Sequence, residues 1–324
     1  MTTFLDKPLN FLKSGYSFLA GSVTGKPLIA GMPVSVSVEL TSHCNLRCPE
    51  CASGSDLMRR ERGFMDIDLF RKLIDELRPY LYYINLYFQG ESMLHPQFMS
   101  FPGIAGEVYS VVSTNGHFLS AGNSQKLIVS GLKKLIVSLD GMDQETYSKY
   151  RAGGDISRVI SGIKNVADAR SKYRSSLKLE IQFLVNKYNE CQISDARRFA
   201  KEAGARLKLK SMQLINTQDI ENWLPSVKRF RRYIKKGNTF IIRSSLPKRC
   251  MRLWFNPVIT WDGKVLPCCF DKDAQFIMGD LNTESFKSIW NGKPYMDFRK
   301  LILTGRESIE ICRNCTSGLK GVGW

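Results

Sequence analysis

The chain has 324 residues, 43% of them hydrophobic, which is enough to bury a large core and to build one barrel-sized domain plus a smaller appendage. That content excludes a disordered chain, nine cysteines are too few for a disulfide scaffold, and no apolar run approaches the roughly eighteen residues of a membrane span. The 47 basic and 30 acidic residues leave a formal charge of +17, a balance that attracts nucleic acid, anionic membrane or phosphorylated substrates.

Residues 1–33 carry Phe4, Leu5, Leu9, Phe11, Leu12, Tyr16, Phe18 and Leu19 beside Lys7 and Lys13. The pattern predicts an N-terminal amphipathic extension lying on the barrel or on a membrane face. Asp6, Lys7, Pro8 and Lys13 break the apolar run, so no signal peptide is expected, and the thiols are expected reduced in a cytoplasmic setting.

From 34 to 215, short β-rich runs alternate with helical stretches, the pattern of a parallel α/β fold. The strands are read at Val34–Leu40, Tyr82–Phe88, Val108–Ser113, Lys134–Leu139, Leu177–Val185 and Arg206–Gln213. Helices are read at Asp66–Arg78, near Pro96–Gly106, and at Ser120–Ser130, Ile156–Arg174 and Glu190–Ala203. A basic linker (216–247) follows, holding the run Lys228 to Lys236, and then a small module (248–324). Suggestive polar motifs fall just after the first four strands, and in βα barrels those loops share the C-terminal face where active sites lie.

The first of these motifs is Cys44, Cys48 and Cys51 in the spacing C-x₃-C-x₂-C. Three thiolates on one loop hold three irons of a [4Fe–4S] cube and leave the fourth open, since full ligation takes four cysteines. A zinc knuckle is the alternative; zinc wants four ligands, and His43, immediately before Cys44, is awkwardly placed to be one.

Together with Gly90-Glu91 after the second strand, this loop resembles the radical S-adenosylmethionine (SAM) superfamily. The resemblance implies a partial (β/α)6 TIM-like barrel, a SAM-binding [4Fe–4S] cluster, and reductive cleavage of SAM to a 5′-deoxyadenosyl radical that abstracts hydrogen from a substrate. It implies that Gly90 and Glu91 hold the SAM amino group, that Ser113 and Asn115 lie near its methionine and ribose, and that Ser138, Asp140 and Arg151 take the ribose or carboxylate. The residue types suit those partners: a carboxylate for an ammonium, hydroxyl and carboxylate groups for a diol, a guanidinium for a carboxylate. Two positions depart from the family pattern: Gln89 replaces the first glycine of Gly-Gly-Glu, and Glu50 stands where an aromatic often stacks on adenine.

Cys250, Cys268, Cys312 and Cys315 form a second set, with a hairpin predicted across Asp262-Gly263, a helix around 285–303 and a terminal C-x₂-C. This order resembles the auxiliary-cluster modules called SPASM and twitch, a small C-terminal α+β unit. It implies one auxiliary [4Fe–4S] cluster that carries electrons, because four cysteines leave no iron open. A structural Cys₄ zinc is the alternative. Cys191 and Cys269 read as packing residues.

Three functions follow. Members with a single auxiliary cluster imply an oxidoreductase acting on a sugar or cyclitol-type alcohol, supplied with electrons by a flavodoxin or ferredoxin-type donor. Others imply modification of a ribosomally made peptide. A different class, a non-catalytic basic metal-binding module docking nucleic acid, rests on Phe230 and Tyr233 interleaved in the basic run, where they could stack on bases.

Overall fold

The computed structural model describes residues 6–55, 57–215, 220–243 and 246–315. Phe4 and Leu5, and parts of the predicted linker and C-terminal module (216–219, 244–245 and 316–324), lie outside the described residues.

In chain order the elements are α1 (Asp6–Thr24), β1 (Ser35–Val38), α2 (Ile67–Leu77), β2 (Tyr83–Asn85), α3 (Ser100–Ala105) and β3 (Tyr109–Thr114). They continue with α4 (Ala121–Val129), β4 (Lys134–Ser138), α5 (Gln144–Tyr150), α6 (Ile156–Lys172), β5 (Lys178–Val185), α7 (Ile193–Glu202) and β6 (Arg206–Ser211). The remainder is α8 (Ile220–Trp223), β7 (Tyr233–Lys236), β8 (Thr239–Ile242), α9 (Arg252–Phe255), β9 (Val258–Ile259), β10 (Lys264–Leu266), β11 (Gly279–Asp280), α10 (Phe286–Asn291), α11 (Lys293–Gly305) and α12 (Glu310–Arg313).

All six predicted barrel strands form, with β2 shorter than read because the chain leaves its ladder after Asn85 and bends towards a left-handed turn at Gly90. Helix α5 was not foreseen. Its seven residues bury only Tyr147 and Tyr150, too short a pattern to show a period, and Asp143 starts it by accepting a hydrogen bond from the Thr146 N–H at 2.8 Å. The helix expected around 285–303 is two, interrupted at Gly292, whose extended backbone precedes Pro294 in the first turn of α11.

The described residues fall into two compact units. The first holds 6–43, 59–110 and 246–315. In it β1 lies parallel to both β2 and β9, and β9, β10 and β11 run as an antiparallel meander. Val36, Val38, Ile84, Val258, Ile259 and Val265 are fully buried in its core. Glu39, buried just past β1, is clamped by the Arg60 guanidinium, with Nη1 donating to Oε2 at 2.7 Å, and accepts the Trp261 N–H at 3.3 Å. Two buried tryptophans anchor the N-terminal segment: Trp254 Nε1 donates to the Leu28 carbonyl and Trp290 Nε1 to the Gly31 carbonyl, each at 3.0 Å.

The second unit holds 44–55, 57–58, 111–215 and 220–243. Its sheet runs β3-β4-β5-β6, all parallel, so each strand is followed by a helical crossover. Helix α6 buries Ile156, Val159, Ile163 and Val166 at three- and four-residue spacing. The basic run forms a 3₁₀ turn at Lys228–Phe230 and the hairpin β7–β8. Phe230 and Tyr233 are buried, and the Tyr233 hydroxyl accepts from the Leu214 N–H at 2.9 Å, so neither ring is presented for stacking on a base. Among the described residues no helix is long and apolar enough to cross a membrane.

Candidate active site and second cysteine cluster

Within the second unit, the loop after β1 is fixed by its own backbone and by α5. The Cys51 N–H donates to the Cys48 carbonyl at 3.2 Å, and the Arg47 N–H donates to the Ala152 carbonyl at 2.9 Å. Gly54 lets the turn close, because a Cβ there would sit 2.6 Å from the Cys48 nitrogen. Cys48 is buried, Cys44 and Cys51 are half-buried, and all three pack among Leu46, Tyr150, Met212, Leu214 and Tyr233.

Asp140 and Arg151 lie beside this loop. Asp140, fully buried past the end of β4, accepts from Arg151 Nε at 2.6 Å through Oδ2 and from the Leu184 N–H at 2.6 Å through Oδ1. Arg151 Nη1 in turn reaches Cys48 Sγ at 3.8 Å. Both Asp140 oxygens are engaged, so this residue aims Arg151. Burial opposes the charge on Arg151, but the Asp140 carboxylate and the Cys48 sulfur outweigh it and hold its pKa well above the ordinary value. Burial pushes the Cys48 thiol up, and Arg151 opposes that shift. A guanidinium beside a buried thiol suits an anionic thiolate-bound cluster, so the donor set fits the group that the spacing implies.

Asn115, buried after β3, donates through Nδ2 to Asn45 Oδ1 at 2.7 Å and accepts from His117 N at 3.1 Å, tying the third-strand motif to the cysteine loop. Ser138 ends β4 opposite Gln182, and Ser113 pairs with Ile136 one strand earlier. Glu50 is buried, and its carboxylate accepts the Ile215 N–H at 2.5 Å, pinning the chain after β6.

Gly90 and Glu91 belong to the first unit. Gly90 has φ +73°, and a Cβ on it would sit 2.3 Å from the Thr41 carbonyl oxygen and 2.7 Å from that of His43. Glu91 is buried, donates its N–H to the His43 carbonyl at 2.8 Å and accepts the Met93 N–H at 3.1 Å. The motif is thus sewn to the backbone immediately before Cys44 in sequence.

The second cysteine set also lies in the first unit. Cys250, Cys268, Cys312 and Cys315 are all buried. Arg306 is fully buried with them, donating from Nη2 to Cys315 Sγ at 3.4 Å and from Nη1 to the Pro247 and Arg249 carbonyls at 3.1 and 2.7 Å, while its Nε has no partner among the described residues. Burial opposes its charge, but the sulfurs of Cys250, Cys315 and Cys312 raise its pKa. A buried guanidinium without a carboxylate is costly unless an anion accompanies it, and four thiolates around an iron–sulfur cube provide one. Cys268 and Cys312 are pushed up by burial, Cys312 to about 11, as thiols are before a metal takes their protons. Cys269 is half-buried and accepts from Arg252 Nη1 at 3.4 Å. Tyr295, against the face of Arg299, is buried with its hydroxyl unpartnered. Among the described residues no three His, Cys, Asp or Glu side chains crowd closely enough for a single metal ion, whereas a four-iron cube is a larger body that takes its thiolates further apart.

The seven cysteines, Asp140 and Arg151 are expected from sequence, whereas Asn45, Tyr295 and Arg306, which the structure sets beside them, are not. Asn45 follows Cys44 directly and carries a weak signal; Arg306 and Tyr295 carry none, because their partners are set by the fold of α11 and α12.

Comparison with known proteins agrees with this geometry. Residues 38–200, half of the chain, match the Radical SAM superfamily, and residues 250–316 match SPASM, an iron–sulfur cluster-binding domain. The S-adenosyl-L-methionine-dependent 2-deoxy-scyllo-inosamine dehydrogenase of Niallia circulans is 25% identical over 289 residues, 87% of this chain and 92% of that protein. The PqqA peptide cyclase of Gluconobacter oxydans is 24% identical over 308 residues, 87% of this chain and 82% of that protein. In fold, the crystal structure of BtrN in complex with AdoMet and 2-DOIA superposes with a TM-score of 0.57 at 20% identity, covering 91% of this chain and all of that one. SAM and a [4Fe–4S] cluster come with the first of these domains, and further iron–sulfur binding with the second. The chain belongs to the Radical SAM superfamily and carries a C-terminal SPASM iron–sulfur cluster-binding domain.

Proposed function

We propose that this protein is an oxidoreductase that dehydrogenates a sugar or cyclitol-type alcohol. When bound, SAM on its cluster supplies a 5′-deoxyadenosyl radical after one-electron reduction, and the auxiliary cluster supplies an acceptor for one electron. The net change at the substrate is loss of a carbinol hydrogen atom, the hydroxyl proton and one electron, giving a ketone. The observation that carries this reading is the second cysteine set: four buried cysteines beside a buried arginine suit one fully ligated cluster that carries electrons. Similarity over nearly the full length of a dehydrogenase supports it.

In this reading Cys44, Cys48 and Cys51 hold the SAM-binding cluster, and Cys250, Cys268, Cys312 and Cys315 the auxiliary one. Gly90 and Glu91 receive the SAM amino group, Arg151 its carboxylate, and Ser113, Asn115 and Ser138 line the methionine and ribose, with Asp140 positioning Arg151. The 34–215 segment acts as the barrel and 248–324 as the cluster module, in a cytoplasmic setting. A cleft of about 540 Å³ is lined by Lys187, Arg231, Lys235, Glu221, Tyr233 and Phe240; Lys235 pairs with Glu221 at 2.9 Å, and Lys187 and Arg231 suit an acidic flavodoxin or ferredoxin-type donor.

Peptide modification is the second reading, favoured by the similarity to a peptide cyclase. Anaerobic turnover with carbinol-deuterated aminocyclitols, beginning with 2-deoxy-scyllo-inosamine, separates the two. Deuterium in 5′-deoxyadenosine together with a ketone product is the expected result. No transfer from any cyclitol or sugar, with a new bond formed in a precursor peptide instead, overturns the dehydrogenase reading.

A further inference from the structure

Helix α1 is mounted with its polar side inward. Asn10, Ser14 and Ser17 are 5%, 1% and 1% exposed, whereas Leu12, Tyr16, Leu19 and Val23 are 67%, 62%, 60% and 85% exposed. At 3.6 residues per turn these four, spaced by four, three and four, form one outward stripe, which Leu9 extends.

Specific hydrogen bonds lock this orientation. Asn10 Nδ2 donates to the Met32 carbonyl at 3.0 Å while its Oδ1 accepts the Met32 N–H at 2.8 Å. Ser14 Oγ donates to that same carbonyl at 2.8 Å, and Ser17 Oγ accepts the Ala30 N–H at 2.8 Å. Gly31 closes against Ser14, where a Cβ would meet Oγ at 2.4 Å. Phe18, stacked edge-on to Trp254 and Phe255, fills the remaining gap. Rotating the helix to hide its leucines would break these four polar contacts, three of them buried. The stripe therefore faces outward by construction, and an apolar row of this length on a water-soluble surface calls for an occupant.

We propose that α1 docks the protein on an anionic lipid bilayer, lying in the interface with its leucine stripe among the acyl chains. Charge favours this occupant. Lys13 flanks the stripe and shares a cleft with Lys287, Lys26 is exposed just past the helix, Asp6 is the sole acid of α1, and the chain carries +17. Aliphatic residues and a tyrosine on one face with lysines beside them are the composition of an interfacial helix, and each lysine near an anionic surface adds attraction.

The test is flotation of the full-length protein with vesicles of equal parts phosphatidylcholine and phosphatidylglycerol, and with pure phosphatidylcholine, together with its elution volume on gel filtration. Binding to the anionic vesicles and weaker binding to the neutral ones is expected. Leu12→Ser/Leu19→Ser/Val23→Ser, all at exposed positions, should lower partitioning by more than about tenfold. Lys13→Gln should lower it about fivefold on anionic vesicles alone. Absence of wild-type flotation, equal flotation of the triple variant, or a dimer that the triple variant abolishes without any vesicle binding would each overturn the proposal.

Discussion

Arg306 and Cys315 form a buried pair, guanidinium Nη2 to Sγ at 3.4 Å, with no carboxylate paired to the arginine among the described residues. The charge makes sense when thiolates surround it. Arg306→Gln should lower the reduction potential of the auxiliary cluster by about 50 to 100 mV, because reduction adds negative charge and the nearest cation is gone. Redox titration followed by electron paramagnetic resonance, in a background where the SAM-binding cysteines are replaced, reads this directly. In apo protein the apolar Arg306→Met should be no less stable than wild type, since it removes a buried charge that has no carboxylate partner among the described residues. An unchanged potential would mean that the arginine serves only the carbonyls of Pro247 and Arg249.

The Asp140–Arg151 pair should behave as one unit. Asp140→Asn leaves a buried guanidinium poorly paired and should cost about 3 to 5 kcal/mol in chemical denaturation. Asp140→Asn/Arg151→Met should recover part of that stability but none of the SAM affinity. Full additivity of the two single substitutions would show that the pair is not coupled.

The strands were legible because β-branched runs such as Val34 to Val38 and Lys134 to Val137 are bounded by polar turns. The cysteine loop was legible because its three cysteines stand within eight residues in a C-x₃-C-x₂-C spacing. The rest was hidden for physical reasons. Asp140 and Arg151 were each identified from sequence, but their mutual bond depends on α5, a helix too short to show a period. Glu50 was marked as a departure, and only the fold shows its carboxylate spent on the Ile215 N–H. The basic run reads as a linker whose Phe230 and Tyr233 are open to bases, whereas a hairpin alternates its faces and turns Tyr233 inward.

Gly90→Ala should be disproportionately harmful for so small a change. The position has φ +73° and the new methyl carbon would overlap the Thr41 carbonyl, so the turn carrying Glu91 must shift. A stability loss of about 1 to 3 kcal/mol and a clear rise in the SAM dissociation constant are expected. Wild-type affinity by calorimetry in this variant would remove the turn from the SAM site.

Arg231→Gln/Lys187→Gln should slow turnover supported by flavodoxin at low ionic strength and leave dithionite-supported turnover unchanged, because salt screens exposed charges. Equal rates with flavodoxin across ionic strength in the variant and wild type would assign the cleft another purpose.

On the proposed function, the loop carrying Cys44, Cys48 and Cys51 binds the cluster that cleaves SAM, and the second set acts separately. Anaerobic reconstitution with iron and sulfide, followed by quantification of 5′-deoxyadenosine after adding SAM and dithionite, tests it most directly. Wild type should form 5′-deoxyadenosine, Cys312→Ala/Cys315→Ala should retain part of that formation, and Cys44→Ala/Cys48→Ala/Cys51→Ala should form none. Undiminished 5′-deoxyadenosine from the triple variant would contradict the account.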